Sequence, residues 1–170
     1  ALVDHPLVEW VKGDMLDEAS LDAALEGVDA CVQLATTTKP ASSNADIVFD
    51  ITSNLIANVR LLEKMVARGG IRFVFVSSGG TVYGDAKMVP VPENHSTEPK
   101  SSYGITKLAI EKYIAMFTRL HGLEARILRV SNPFGEYQPH SDGQGVIANF
   151  MWRALNNRPI EIIGDGPAVR

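Results

Sequence analysis

One stretch of this 170-residue chain, Phe73 to Lys107, limits the fold more than any other. It opens on Phe73-Val74-Phe75-Val76, a short apolar run of β-branched and aromatic residues. Such a run reads as a buried strand of a parallel sheet. Ser77-Ser78-Gly79-Gly80-Thr81 and Val82-Tyr83-Gly84 follow at once, and then a turn-rich loop from Pro90 to Pro99. Tyr103-Gly104-Ile105-Thr106-Lys107 opens a long amphipathic helix, with mainly helical apolar spacing through Leu108, Met116, Phe117 and Leu120. In an open α/β sheet, ligands bind beyond the carboxyl ends of the strands. The hydroxyl-rich turn and the start of the helix both belong at that edge.

Tyr103 and Lys107 stand four residues apart, so they share one helix face. A free tyrosine, with a pKa of about 10, is a poor base at neutral pH. A nearby ammonium favours the phenolate and lowers that value. The pair is therefore suited to moving a proton to or from an alcohol. The same spacing occurs a second time, at Tyr83 and Lys87. There Gly84, Asp85, Pro90 and Pro92 predict a loop, and no helix sets the spacing. The Tyr103 copy is the candidate.

The other elements follow from local pattern. Val8 to Val11 reads as a short strand, and Ser20 as the cap of a short helix ending at Gly27. Ala30 to Ala35 reads as a strand. From Ala45 to Arg68 runs the strongest helix, with Ile47, Val48, Ile51, Leu55, Val59, Leu62 and Val66 as its stripe and Gly69-Gly70 as its stop. Ala125 to Val130 predicts a strand, Val146 to Leu155 a helix, and Ile160 to Ile163 a last strand. A net charge of -4 argues against a nucleic-acid surface. No run reaches the roughly 18 apolar residues of a membrane span, and the first residues lack signal-peptide character. A cytoplasmic location is the expectation. Cys31, the single cysteine, cannot close an internal disulfide and reads as a buried thiol.

Val76-Ser77-Ser78, Val82-Tyr83-Gly84 and Tyr103-x-x-x-Lys107 together resemble the extended short-chain dehydrogenase/reductase family, the NAD-dependent epimerases and dehydratases. The resemblance extends to Gly13-Asp14, Leu34-Ala35-Thr36, Asn54, Arg129 with Asn132-Pro133-Phe134-Gly135, and Gly164-Asp165-Gly166 before Arg170. It covers nearly the whole chain, in the family's order. It implies a Rossmann-type doubly wound parallel α/β sheet over residues 1–135, and the start of a smaller nucleotide-sugar-binding domain over 136–170. It implies NAD as cofactor. Asp14 and Met15 would lie by the adenine, and Leu34, Ala35 and Thr36 along the ribose and pyrophosphate. Asn54 and Pro133 would stand toward the nicotinamide, with Tyr103 and Lys107, and Ser77 would also bind the cofactor. Ser78, Thr81, Asn132 and Arg170 would face the substrate, Arg170 pairing with its diphosphate through a planar fork. Relatives pair through their two long helices, so a homodimer is expected.

Two departures shape the reading. The family's opening strand, glycine-rich turn and helix do not occur before Val8, so the chain is expected to be an internal piece of a longer protein. Without that turn, NAD and NADP are not distinguished. Position 79 is a glycine where many relatives carry the catalytic Ser or Thr. Thr81 is the favoured replacement, because strand alternation sends Ser78 to the face opposite Gly79. The dehydratase branch has Asp-Glu directly after this position; Gly80 and Thr81 stand there instead. The expected activity is that of a nucleotide-sugar epimerase of the UDP-hexose 4-epimerase type, with Tyr103, Lys107 and Thr81 at its centre. A nucleotide-sugar reductase and a catalytically inactive nucleotide-binding regulator are the alternatives.

Overall fold

The computed structural model describes residues 5–135, 138 and 145–162. Its elements in chain order are α1 (Glu18–Ala24), β1 (Ala30–Gln33), α2 (Ile47–Asp50), a π-helical stretch (Ile51–Ile56), α3 (Ala57–Arg68), β2 (Arg72–Ser78), α4 (Ser102–His121), β3 (Ala125–Val130) and α5 (Val146–Leu155). The three strands form one parallel sheet in the order β1-β2-β3. Cys31 pairs with Phe73, and Phe75 with Ile127. This is the Rossmann-like arrangement of a parallel sheet with crossover helices.

One face of the sheet carries the core. Phe73 and Phe75 of β2 pack with Leu61, Leu62 and Met65 of α3 and with Ile110, Ile114 and Phe117 of α4. Leu21 and Leu25 extend the cluster under α1. The apolar run of β2 is therefore buried on one face only: its residues alternate between buried and half-buried along the strand. On the other face Val32 and Leu128 are exposed.

Several expected elements take a different form. Asp17, not Ser20, caps α1, its carboxylate accepting from the Ser20 amide and hydroxyl. A carboxylate two or three residues ahead captures those free amides better than a hydroxyl already inside the first turn. Val8 to Val11 does not form a strand, and Ile160 to Ile162 does not either; Ile163 lies outside the described residues. A strand holds its shape through a hydrogen-bonded neighbour, and neither segment joins the sheet formed by the described strands.

The helix from α2 through α3 forms as expected and stops at Gly69, whose φ of 72° favours glycine. Its buried face matches the apolar stripe only in the later turns, where Leu62 is buried and Leu55 and Val66 pack on the core. Asp50, Ser53, Asn54, Ala57, Asn58, Leu61, Leu62 and Met65 point inward, whereas Ile47, Val48 and Ile51 are exposed. Polar residues win the inner face in the first two turns because a set of hydroxyls and amides there satisfies them. In α3 the core is apolar again. Leu62, fully buried, should cost about 2–5 kcal/mol when cut to alanine. Denaturant unfolding of Leu62→Ala in the full-length protein measures this, and a loss below about 1 kcal/mol would contradict the core described.

Candidate active site at the start of α4

The chain fixes the first turn of α4 from three sides. Ser101 caps it, its hydroxyl accepting from the Gly104 amide at 3.2 Å. The Ser102 amide donates to Asn44 Oδ1 at 2.8 Å, and the Tyr103 amide to Ser43 Oγ at 3.0 Å. These bonds use the amides that a helix start leaves free. On the third side the Thr81 turn presses against the helix. A Cβ at position 104 would lie 2.9 Å from Pro99 Cβ and 3.1 Å from the Thr81 carbonyl oxygen. Only a residue without a side chain allows that approach.

Lys107 is buried, 5% exposed. Its Nζ donates to the Val76 carbonyl at 2.9 Å and lies 4.7 Å from the centre of the Phe75 ring and 5.7 Å from that of Tyr103. No described carboxylate forms an ion pair with it. Burial brings its pKa down to about 8, against the pull of the Asp50 carboxylate. Tyr103 is half-buried. Burial pushes its phenol above the ordinary value, and the Asp50 charge adds to the rise. The expected net lowering by Lys107 is thus not found. The ammonium sits over the ring without a hydrogen bond to the hydroxyl, and desolvation of the phenolate outweighs it.

The hydroxyl-rich turn after β2 divides its side chains. Ser77 is buried and donates to Glu111 Oε1 at 2.6 Å, so its hydroxyl is engaged between β2 and α4. Ser78 is half-buried on the opposite face. Gly79 donates its amide to the Val130 carbonyl at 2.8 Å. A Cβ there would stand 2.8 Å from the Arg129 carbonyl oxygen, which gives the glycine a steric cause. Thr81 Oγ1 is buried and has no hydrogen-bond partner among the described residues. Thr81 also lines a cleft of about 1170 Å³ together with Gly79, Glu93, Arg129, Ser131 and Asn132. Tyr103 and Lys107 do not line that cleft.

The competing pair at Tyr83 and Lys87 is not helical. Tyr83 is buried and its hydroxyl accepts from Arg129 Nη1 at 2.9 Å, while Lys87 is exposed on a loop.

The residues expected along a cofactor lie past β1. Leu34, Ala35 and Thr36 are exposed beyond its carboxyl end. Asn54 is buried behind them: its Oδ1 accepts from the Thr36 hydroxyl at 3.2 Å and the Thr37 amide at 3.0 Å. Asp14 is exposed and accepts from the Leu16 amide, and Met15 packs on the core with its sulfur near Gln33 Nε2 at 3.3 Å. Asn132 and Pro133 are exposed just past β3. Arg170 lies outside the described residues.

Two polar groups here were not found from the sequence. One is Asp50, fully buried. The other is Glu111, which Arg129 engages with two nitrogens at 3.0 and 2.7 Å. Glu111 had a signal, for it stands four residues beyond Lys107 on the face of Tyr103 and Lys107. Asp50 had only its place as a charge within an apolar run.

A model of the NAD dependent epimerase/dehydratase family matches residues 2–170. The dTDP-4-dehydro-6-deoxyglucose reductase of Escherichia coli is 36% identical over 81% of this chain and 43% of its own. The crystal structure of UDP-glucose 4-epimerase from Thermotoga maritima with UDP-glucose superposes with a TM-score of 0.85, at 34% identity, over 91% of this chain and 51% of that one. That of the Thermus thermophilus UDP-glucose 4-epimerase in complex with NAD superposes with a TM-score of 0.80, at 29% identity, over 87% and 49%. The chain spans about half the length of the curated relatives it matches.

The buried Lys107 ammonium predicts a pH dependence of stability. Unfolded, the amine keeps its proton up to about 10.5; folded, it loses it near 8. Between those values the unfolded state binds more protons, so stability rises with pH. The gain is on the order of 3 kcal/mol from pH 8 to 10.5. Urea unfolding of the full-length protein beside Lys107→Met should show this rise in the native protein alone. Parallel curves for the two would contradict the burial of a charged Lys107.

Proposed function

Because the chain belongs to the NAD-dependent epimerase/dehydratase family, we propose that the full-length protein is a nucleotide-sugar epimerase of the UDP-hexose 4-epimerase type. The observation that carries this reading is the placement of Tyr103 and Lys107 in the first turns of α4, packed on the Thr81 turn at the carboxyl edge of the sheet. The bound UDP-glucose of the Thermotoga maritima epimerase supports the substrate class.

The residues present fit NAD. Leu34, Ala35 and Thr36 offer an exposed strip of backbone that Asn54 holds in shape. Asp14 and Met15 would take the adenine end, and Asn54 and Pro133 would stand by the nicotinamide end. Lys107 supplies a positive charge that no described carboxylate pairs with. NAD, when bound, supplies a reversible hydride acceptor and a further positive charge.

Tyr103 takes the proton from the sugar 4-hydroxyl and returns it to the keto oxygen. Its raised pKa suits the second role directly. For the first role the phenolate needs neighbouring positive charge, and Lys107 provides part of it. The Thr81 hydroxyl would hydrogen-bond the reacting sugar oxygen in place of the side chain absent at Gly79. Asn132 and Arg170 would hold the nucleotide portion. In the dimer we propose, Ile47, Val48 and Ile51, exposed on one helix, and Ile105 on α4 would be the apolar contact.

The reductase reading is favoured by one observation, the 36% identity to the Escherichia coli reductase. The two differ in the fate of the hydride. An epimerase returns it to the same sugar and keeps its cofactor; a reductase exchanges the cofactor each cycle. Purified full-length protein should interconvert a UDP-hexose pair without added reductant, and deuterium at the sugar's fourth carbon should stay in the product. Washout of the label, or a need for stoichiometric NADPH, would move the assignment to the reductase.

A further inference from the structure

Asp50 is a fully buried carboxylate that the mechanism above does not use. Four side chains donate to it. Ser102 Oγ lies at 2.6 Å and Thr106 Oγ1 at 2.8 Å from Oδ2; Thr38 Oγ1 and, at 3.0 Å, Asn54 Nδ2 approach Oδ1. These partners come from three places: the loop after β1, the π-helical stretch and the first turns of α4. Ser102 directly precedes Tyr103, and Thr106 directly precedes Lys107.

We propose that Asp50 is the positioning residue of the Tyr103–Lys107 pair, a buried negative charge that clamps the start of α4 to the loop along the expected cofactor path and sets the charge balance in which the pair titrates. The proposal rests on the reading of Tyr103 and Lys107 as the proton-transfer pair.

The geometry gives the carboxylate both tasks. Its bonds to Ser102 and Thr106 fix the rotation of α4, and thus the direction of the tyrosine between them. Its bonds to Thr38 and Asn54 fix the Thr36–Thr38 loop, because Asn54 carries that loop in turn. Burial would raise the carboxyl's pKa, but the hydrogen bonds from Ser102, Thr38, Thr106 and Asn54 outweigh it and hold the value below the ordinary one. The group therefore stays charged at neutral pH. Among the described residues, the ionisable groups that feel this charge are Tyr103 and Lys107, both on α4. The loop and the π-helical stretch present neutral Thr38 and Asn54. The charge favours protonated Tyr103 and protonated Lys107, so it keeps the resting pair as phenol and ammonium. A low-dielectric site strengthens this effect.

The test is a tyrosinate absorbance titration of the full-length protein, which needs no substrate and so stands apart from the assignment of the reaction. The step that disappears in Tyr103→Phe identifies Tyr103. In Asp50→Asn that step should move to lower pH. In Thr106→Val, which removes a hydrogen bond and keeps the charge, it should not move to lower pH. An unmoved or raised step in Asp50→Asn would overturn the proposal, as would an equal downward shift in Thr106→Val. Asp50→Ser gives the same neutralisation with a smaller side chain if the amide does not fold. Collapse of both neutral variants would make the charge a requirement of the fold itself, and would overturn the proposal too.

Discussion

The Lys107 ammonium lies under α4 with the Val76 carbonyl as its hydrogen-bond acceptor. Burying a charge without an ion-pair partner is costly, and here a carbonyl and two aromatic rings offset part of the cost. The contact joins the second turn of α4 to the last residues of β2. It therefore sets how far the helix lies from the strand end, and with it the place of Tyr103 one turn earlier. The Gly104 contact with the Thr81 turn acts at the same point from the other side. A helix held at both points cannot slide along its axis without exposing the amine or driving backbone into backbone.

Two polar layers flank this contact. On the amino-terminal side Asp50 gathers Thr38, Asn54, Ser102 and Thr106. On the carboxyl-terminal side Glu111 accepts from Ser77 and from Arg129, and Arg129 reaches on to the Tyr83 hydroxyl and the Glu93 carbonyl. The second layer ties β2, β3, α4 and the loop after Tyr83 into one unit. Buried polar networks are stabilising only when every member is satisfied, and such networks specify one arrangement strongly. The buried Thr81 hydroxyl stands apart from both.

What could be read in the sequence follows the range of the forces involved. β2, β3, α5 and the Gly69 stop declare themselves locally, through apolar runs, helical spacing and a glycine at positive φ. Tyr103 and Lys107 were legible because one helix turn sets their spacing. Val8 to Val11 and Ile160 to Ile162 carry strand-like residues but no strand, because pairing is a property of two segments. The inward face of the helix after Ile47 was misread for a related reason. Asp50 meets Ser102 across 52 positions of sequence, and no local pattern records that meeting. The direction of the Tyr103 shift was also hidden. The spacing reveals the ammonium, whereas burial and Asp50 come only with the fold.

The central claim is that Tyr103, and not the tyrosine of the second matching motif, moves the proton. Turnover of Tyr103→Phe and of Tyr83→Phe in the full-length enzyme tests it most directly, with circular dichroism confirming that both are folded. The account predicts a fall of roughly 10²–10⁴ in kcat for Tyr103→Phe and a far smaller one for Tyr83→Phe, whose hydroxyl accepts from Arg129. Near-native turnover of Tyr103→Phe, or an equal loss in the two variants, would contradict it.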